Sequence, residues 1–232
     1  MPPGAAPGPQ GTVAMPEPVT IVGVSAGVLA LTSHLARRYF EVAKEVVDIV
    51  LGFLALVLFL PLLAVCALII KVSSRGPVLY KQTRLGKDGK PFEMYKLRTM
   101  YTDAEMASGA VWASKDDPRV VPPCRWMRVS HVDELPQLLN VIRGDMSLVG
   151  PRPERPAIMA KLEKAYPEAR KRLAVRPGIT GLAQIRNGYD TTVDAYRLKL
   201  KADLEYIERR SWSVELGILA STVAKFKDSA AH

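Results

Sequence analysis

Residues 49–70 read IVLGFLALVLFLPLLAVCALII, an unbroken apolar run of about twenty residues, long enough as a helix to cross the hydrocarbon core of a bilayer. Pro61 lies inside the run, where it removes one helical hydrogen bond and its ring crowds the preceding turn. Asp48 borders the start. Both flanks are basic, with Arg37, Arg38 and Lys44 before the run and Lys71, Arg75, Lys81, Arg84, Lys87 and Lys90 after it. Basic residues favour the cytoplasmic side of a membrane. A helix broken at Pro61 that dips in and returns keeps both flanks on that side, whereas a kinked span puts one of them outside. Both readings stay open from this segment alone, and a buried helix of a soluble protein is the third.

Upstream, residues 1–18 are rich in Pro, Gly and Ala and hold no Lys or Arg, so a disordered tail is expected there rather than a secretory leader. Residues 19–43 form an apolar to amphipathic segment, diluted by Gly23, Ser25, Gly27, Thr32, Ser33 and His34, that suits a surface or packed helix better than a span. The membrane segment proper is placed at 44–72, a cytoplasmic domain at 73–226 and a short tail at 227–232.

Within that domain, Pro77–Met100 predicts a β-hairpin turning over Gly86-Lys87-Asp88-Gly89-Lys90. Residues 100–128 read as loop. A helix is expected over Val132–Ile142, with Asp133, Glu134 and Pro136 in its first turn and Gly144 past its end. Pro153–Arg172 reads as one charged helix, with Arg172 an ordinary surface arginine. Tyr196, Leu200, Leu204 and Ile207 recur at helical spacing, as do Trp212, Leu216, Leu219, Val223 and Phe226. Such stripes face a core or lie on a membrane surface. The fold class expected is α+β, mainly helical.

The chain carries a formal net charge of +9 with 48% hydrophobic residues, which suits an acidic partner: nucleic acid, anionic lipid or a phosphorylated substrate. The two cysteines, Cys66 and Cys124, sit in unrelated sequence contexts, with neither metal spacing nor a disulfide framework. No GxxxxGK[ST] or GxGxxG loop occurs, so ordinary ATP and dinucleotide folds lack support.

Chemistry concentrates around Asp133-Glu134. Adjacent carboxylates at a helix start stay ionised in the field of the helix dipole and can act as nucleophile or magnesium ligand. Alone they are equally two ordinary first-turn acids. Their context is more telling: Arg125, Arg128, Arg143, Arg152 and Arg155 crowd the pair in sequence, and Arg152 is held between Pro151 and Pro153. Arginine forks bind phosphate oxygens in pairs, and phosphoryl transfer needs mainly positioning and charge stabilisation. His131, without a partner histidine nearby, fits a packing role better than a ligand or base.

Taken together, the blocks GPVLYKQTRLGKDGKPF (76–92), YKLRTM (95–100), DDPR (116–119), DELPQLLNVIRGDMSLVGPRP (133–153) and RPGITGLAQ (176–184) resemble the bacterial sugar transferases, the monotopic polyprenyl-phosphate phosphoglycosyl transferases. The resemblance runs from about Lys44 to Phe226. It implies a re-entrant helix bent at Pro61, a small hairpin and amphipathic surface helices at the cytoplasmic face of the bacterial inner membrane. It implies that Asp133 attacks the sugar-bearing phosphorus of a UDP-sugar, that UMP leaves, and that polyprenyl (undecaprenyl) phosphate then takes the phosphosugar. Glu134 is then the residue that binds or orients Mg²⁺. Arg128 and Arg152 hold phosphates, and Lys96, Arg98, Pro151 and Pro153 complete the substrate-binding set. Membrane lipid is an expected partner, nucleic acid is not, and pairing as a homodimer stays open.

Leu60 stands where the family often has Ser, and Glu45 where a second basic residue is common. His131, Val132, Val121 and Cys124 also depart from its usual residues. Direct transfer without a covalent intermediate shares every motif. The competing class is a non-enzymatic, membrane-tethered basic scaffold or nucleic-acid binder, which would release no UMP.

Overall fold

The computed structural model describes residues 22–102, 104, 117–187 and 193–230. The expected tail 1–18, Asp116 of the DDPR block and residues 231–232 lie outside the described residues. The chain forms two compact units, residues 1–41 and 42–232. In the first, residues 22–41 are helical and belong to α1, Val22–Ser73.

In the second, the apolar run of α1 leads into a hairpin of β1 (Leu79–Leu85) and β2 (Pro91–Leu97), antiparallel from Leu79 opposite Leu97 to Leu85 opposite Pro91. Its turn falls on Lys87–Gly89, inside the expected loop. The stretch 100–128, expected to be loop, contains a short helix α2 (Arg125–Val129), which buries Met127 against Cys66, Ile70, Leu97, Val121 and Cys124. The two cysteines therefore share one core, although their sequence contexts are unrelated.

The expected helix over Val132–Ile142 is two pieces, a 3₁₀ turn Val132–Gln137 followed by α3 (Leu138–Ile142). Pro136 inside the segment works against an α-helical start, because its ring crowds the carbonyl four residues before it. Pro153–Arg172 is also divided. Helix α4 (Pro156–Ala165) ends before Pro167, and a 3₁₀ segment Pro167–Ala174 follows. Pro167 disfavours the helical conformation at Tyr166, whose ψ of 90° is extended.

Strands β3 (Ser147–Val149) and β4 (Gly178–Thr180) pair in parallel. Their contact depends on glycine. A Cβ at Gly178 would lie 2.0 Å from the Gly150 nitrogen, and one at Gly181 would lie 2.2 Å from the Gly150 oxygen. The segments around GPRP and RPGITG thus meet backbone to backbone, where no side chain fits.

Helix α5 (Leu182–Asn187) and helix α6 (Val193–Arg209) pack together. Tyr196 and Leu200 of α6 are buried with Leu204 beside them, while Ile207 joins the core around Tyr206 and Ile218, so this stripe faces the interior. On α7 (Trp212–Ala230), Glu215 and Ile218 face inward, while Trp212, Leu216 and Val223 are exposed.

Helix α1 is continuous across Pro61: the segment does not break there, and a return would be a bend within one helix. The helix is anchored at both ends of its apolar run. Lys44 bonds Glu215 at 2.7 Å, Ser147 donates to Asp48 at 2.6 Å, and Gly52 lies close to Val141. At the other end Cys66 and Ile70 are fully buried. Between them Val57, Leu58, Phe59, Leu60 and Pro61 are all exposed, and five consecutive residues cover every face of a helix. Exposed apolar surface on this scale marks a contact with lipid or protein.

Candidate active site

The 3₁₀ turn that carries Asp133 and Glu134 starts from His131, whose φ of 54° is left-handed, and both carboxylates are buried. Successive side chains on a 3₁₀ turn point about 120° apart, so two neighbours can face different surroundings. Glu134 faces β2 and the GPRP segment. Its Oε1 accepts from Lys96 at 2.8 Å and from Arg152 at 2.6 Å, and its Oε2 accepts from Arg152 at 3.0 Å. Burial pushes the Glu134 carboxyl up, but Arg152 and Lys96 outweigh it and hold the group well below the usual carboxylate range.

Asp133 instead lines a cavity of about 530 Å³ between β1, the start of the 100–128 stretch and α4. Among the described residues that line it, Asp133 is the one carboxylate, alongside Arg84, Lys96, Arg98, Arg119, Arg128 and Arg155. Burial pushes its carboxyl up to about 6, against the pull of Lys96, Arg128 and Arg152, with Glu134 adding to the rise. The two neighbours are thus separated electrostatically, one a permanently ionised member of a salt-bridge triad, the other a carboxylate that ionises near neutrality beside open space.

The cavity walls are built locally. Tyr80, Gln82 and Arg84 alternate along β1, which puts all three on one face of the strand. Arg128 of α2 donates to the Thr99 hydroxyl at 3.2 Å. Arg119 is clasped by Asp117 at 2.5 and 2.8 Å, and its hydrogen bonds hold the Asp117 carboxyl down at about 2.

Of the residues singled out in the sequence, Asp133, Glu134, Arg128 and Lys96 come together here. Arg152 directs the paired bonds of its fork to Glu134. Arg98 lines the cavity, but its guanidinium donates to the Ser74 and Arg75 carbonyls and the Ser74 hydroxyl, where it closes the end of α1. A Cβ at Gly76 would lie 2.0 Å from that guanidinium. Pro151 and Pro153 act through their carbonyls, accepting from the Gly178 amide at 3.0 Å and from Arg84 at 2.9 Å. Arg172 is no surface arginine. It is 5% exposed, pairs with Asp203 at 2.7 Å and donates to the Arg152 carbonyl at 2.9 Å.

A family model described as bacterial sugar transferase matches residues 39–228. The chain belongs to this family. It is similar to the UDP-glucose:undecaprenyl-phosphate glucose-1-phosphate transferase of Caulobacter vibrioides, with 44% identity over 82% of this chain and 71% of that protein. It is 42% identical to the exopolysaccharide production protein PSS of Rhizobium leguminosarum bv. phaseoli, over 78% of this chain and 94% of the other. It is 38% identical to the UDP-N-acetylgalactosamine-undecaprenyl-phosphate N-acetylgalactosaminephosphotransferase of Aeromonas hydrophila, over 83% of this chain but 45% of that longer protein.

Family motifs account for the acidic pair, and Arg155 was already among the arginines crowding it in sequence, but Arg84 and Arg119 join the site only in three dimensions. The alternation of Tyr80, Gln82 and Arg84 was the available signal for the β1 wall. Buried Asn140 was also missed. Its amide accepts from the Tyr95 nitrogen at 3.1 Å and donates to the Glu93 carbonyl at 2.7 Å, pinning α3 to β2.

Proposed function

We propose that the protein moves a sugar-1-phosphate from a UDP-sugar to polyprenyl phosphate, releasing UMP, as the first membrane step of a glycoconjugate assembly. The observation that carries this is Asp133, the one carboxylate among the described residues lining a cavity with six cationic side chains. Such a cavity attracts a diphosphate and leaves one carboxylate to meet it.

In the first step an Asp133 oxygen attacks the sugar-bearing phosphorus. The bond from that phosphorus to the UMP oxygen breaks, and the electron pair departs with UMP. In the second, an oxygen of polyprenyl phosphate attacks the same phosphorus, the aspartyl–phosphorus bond breaks, and the carboxylate returns. Neither step needs a proton on Asp133, so its ionised form is the active one. Arg84, Arg119, Arg128 and Arg155 offset the charge of the phosphates. Arg152 and Lys96 keep Glu134 fixed and ionised behind the nucleophile.

Among the described residues no three His, Cys, Asp or Glu groups cluster, so the protein alone offers a cation no cage. Mg²⁺ commonly takes one or two carboxylates and completes its shell with substrate phosphates and water, so one protein carboxylate would suffice. Glu134 would be its protein ligand by giving up a bond from Arg152, since both of its oxygens accept from that guanidinium. Bound there, Mg²⁺ would neutralise charge on the substrate diphosphate as UMP departs.

The apolar run of α1 is read as re-entrant, with both ends on the cytoplasmic face of the inner membrane. In support, both ends pack on the same catalytic unit while the turn around Pro61 is exposed. Purified protein with polyprenyl phosphate, Mg²⁺ and a panel of UDP-sugars should release UMP with at least one sugar. Absence of UMP release across the panel would refute the proposal.

A further inference from the structure

Along β1 three side chains form a directional chain of hydrogen bonds. Arg84 donates to Gln82 Oε1 from Nε at 2.9 Å and from a terminal nitrogen at 2.5 Å. Gln82 Nε2 in turn donates to the Tyr80 hydroxyl oxygen at 3.1 Å. Arginine has donors only, so the Gln82 amide cannot be reversed: its oxygen must face Arg84 and its NH₂ must face Tyr80. Arg84 is itself fixed, by its bond to the Pro153 carbonyl at 2.9 Å and by Glu154 at 3.9 Å. The direction of the chain is therefore set at the GPRP segment and transmitted to the far end of the strand.

The consequence falls on Tyr80. Its oxygen accepts from Gln82, so its single proton points away from Gln82. Tyr80 lines the same cavity as Asp133 and is 38% exposed, open to a ligand. It sits opposite Lys96 in the hairpin register, and Lys96 holds Glu134. Cross-strand neighbours on one face stand about 5 Å apart at Cβ, so Tyr80 stands beside Lys96 on the wall of the cavity that Asp133 lines.

We propose that the Arg84–Gln82–Tyr80 chain presents the Tyr80 hydroxyl as a hydrogen-bond donor to an oxygen of the nucleotide-sugar donor substrate. This rests on the proposed function and adds a positioning residue to it. The acceptor is an oxygen of either the nucleoside phosphate or the sugar. Tyr80 takes no part in bond making, so it acts on donor-substrate binding rather than on the chemical step.

The test is a double-mutant cycle on the full-length protein, reading KM for the UDP-sugar, kcat, and inhibition by UMP. Tyr80→Phe should raise KM about fivefold and leave kcat within about twofold, the size of one neutral hydrogen bond. Gln82→Glu turns the middle group into an acceptor from both sides, which draws the Tyr80 proton out of the cavity. Its effect on KM should be about fivefold smaller in the Tyr80→Phe background than in the parent, and the added charge cancels in that comparison. If UMP inhibition weakens in step with KM, the acceptor is on the nucleoside phosphate; if UMP inhibition is unchanged, it is on the sugar. A Tyr80→Phe protein with parental KM, or a Gln82→Glu effect equal in both backgrounds, overturns the proposal. Turnover of the parent in the same assay separates that failure from failure of the proposed function.

Discussion

Asp133→Asn tests the site through stability as well as rate. Burial raises the Asp133 carboxyl from its ordinary 3.8 to about 6 in the fold. A group whose folded value lies above its unfolded one contributes most stability at low pH, where both states are protonated, and loses it as pH rises through the folded value. The full loss is about 3 kcal/mol at 1.36 kcal/mol per pH unit. Roughly 1 kcal/mol of it has already gone by pH 4.5, which leaves about 2 kcal/mol to be lost between pH 4.5 and 8. Asn is neutral throughout, so the variant escapes this loss. The Tm advantage of Asp133→Asn over the parent should therefore be larger at pH 8 than at pH 4.5, by about 4–8 °C for a domain of this size. Shared pH effects from other groups cancel in the comparison. In the same preparations the variant should lose turnover, and parental kcat/KM should fall on the acid side with a midpoint near 6, because the proposed attack needs the ionised carboxylate. A Tm advantage equal at the two pH values would refute the buried, raised carboxyl. Turnover within tenfold of the parent would refute the nucleophile.

Arg152→Lys should lower kcat about a hundredfold, because a single ammonium cannot reproduce the paired bonds to Glu134. Arg170→Lys, at a position 73% exposed, is the appropriate control and should stay within twofold; parity between the two would remove Arg152 from the site. Gly178→Ala should destabilise the protein by about 3 kcal/mol or more, since the new Cβ would meet the Gly150 backbone at 2.0 Å; an unchanged urea midpoint would contradict the glycine contact. Single cysteines placed at Ser33 and Ser73 in a Cys-free background should both resist an impermeant thiol reagent in intact cells and react after permeabilisation; labelling at Ser33 from outside would defeat the re-entrant reading.

The hairpin was legible because it depends on local chemistry, a turn-forming Gly-Lys-Asp-Gly-Lys between two short strand patterns. The two split helices were not, because both turn on a proline. Pro136 converts a helical start into a 3₁₀ turn, and Pro167 stops α4 through its effect on Tyr166. At the site, adjacency made Asp133 and Glu134 visible as a pair, but their opposite surroundings come from long-range packing. Lys96 is 38 residues from Glu134 and Arg152 is 18 away. Arg172 was misread for the same reason. Its partner Asp203 is 31 residues distant, and nothing in its neighbours signals that a charge there is buried. Cys66 and Cys124 likewise share a core only once α2 is laid against the end of α1.

The division of work between the two acids follows from those placements. Making Glu134 the nucleophile would require freeing a buried carboxylate from three charge-assisted hydrogen bonds and leaving Arg152 and Lys96 without it, a loss on the order of several kcal/mol. Asp133 faces the opposite condition. Its ionised form is already disfavoured by burial, so a bond to phosphorus relieves an unfavourable charge. The same logic explains why GPRP is tied so firmly. Gly150 lies against Gly178, Pro153 holds Arg84 and Arg172 holds the Arg152 carbonyl. Arg152 can keep Glu134 ionised only if its own backbone does not move. Weakening any of these ties should let Glu134 drift toward protonation, and it should show first as a change in the pH profile rather than as unfolding. Arg172→Lys is the sharpest case. It keeps a cation for Asp203 but loses the planar reach to the Arg152 carbonyl, so the acid limb of kcat/KM should shift while Glu134 itself is untouched. An acid limb identical to the parent's would mean that Arg152 holds its position without Arg172.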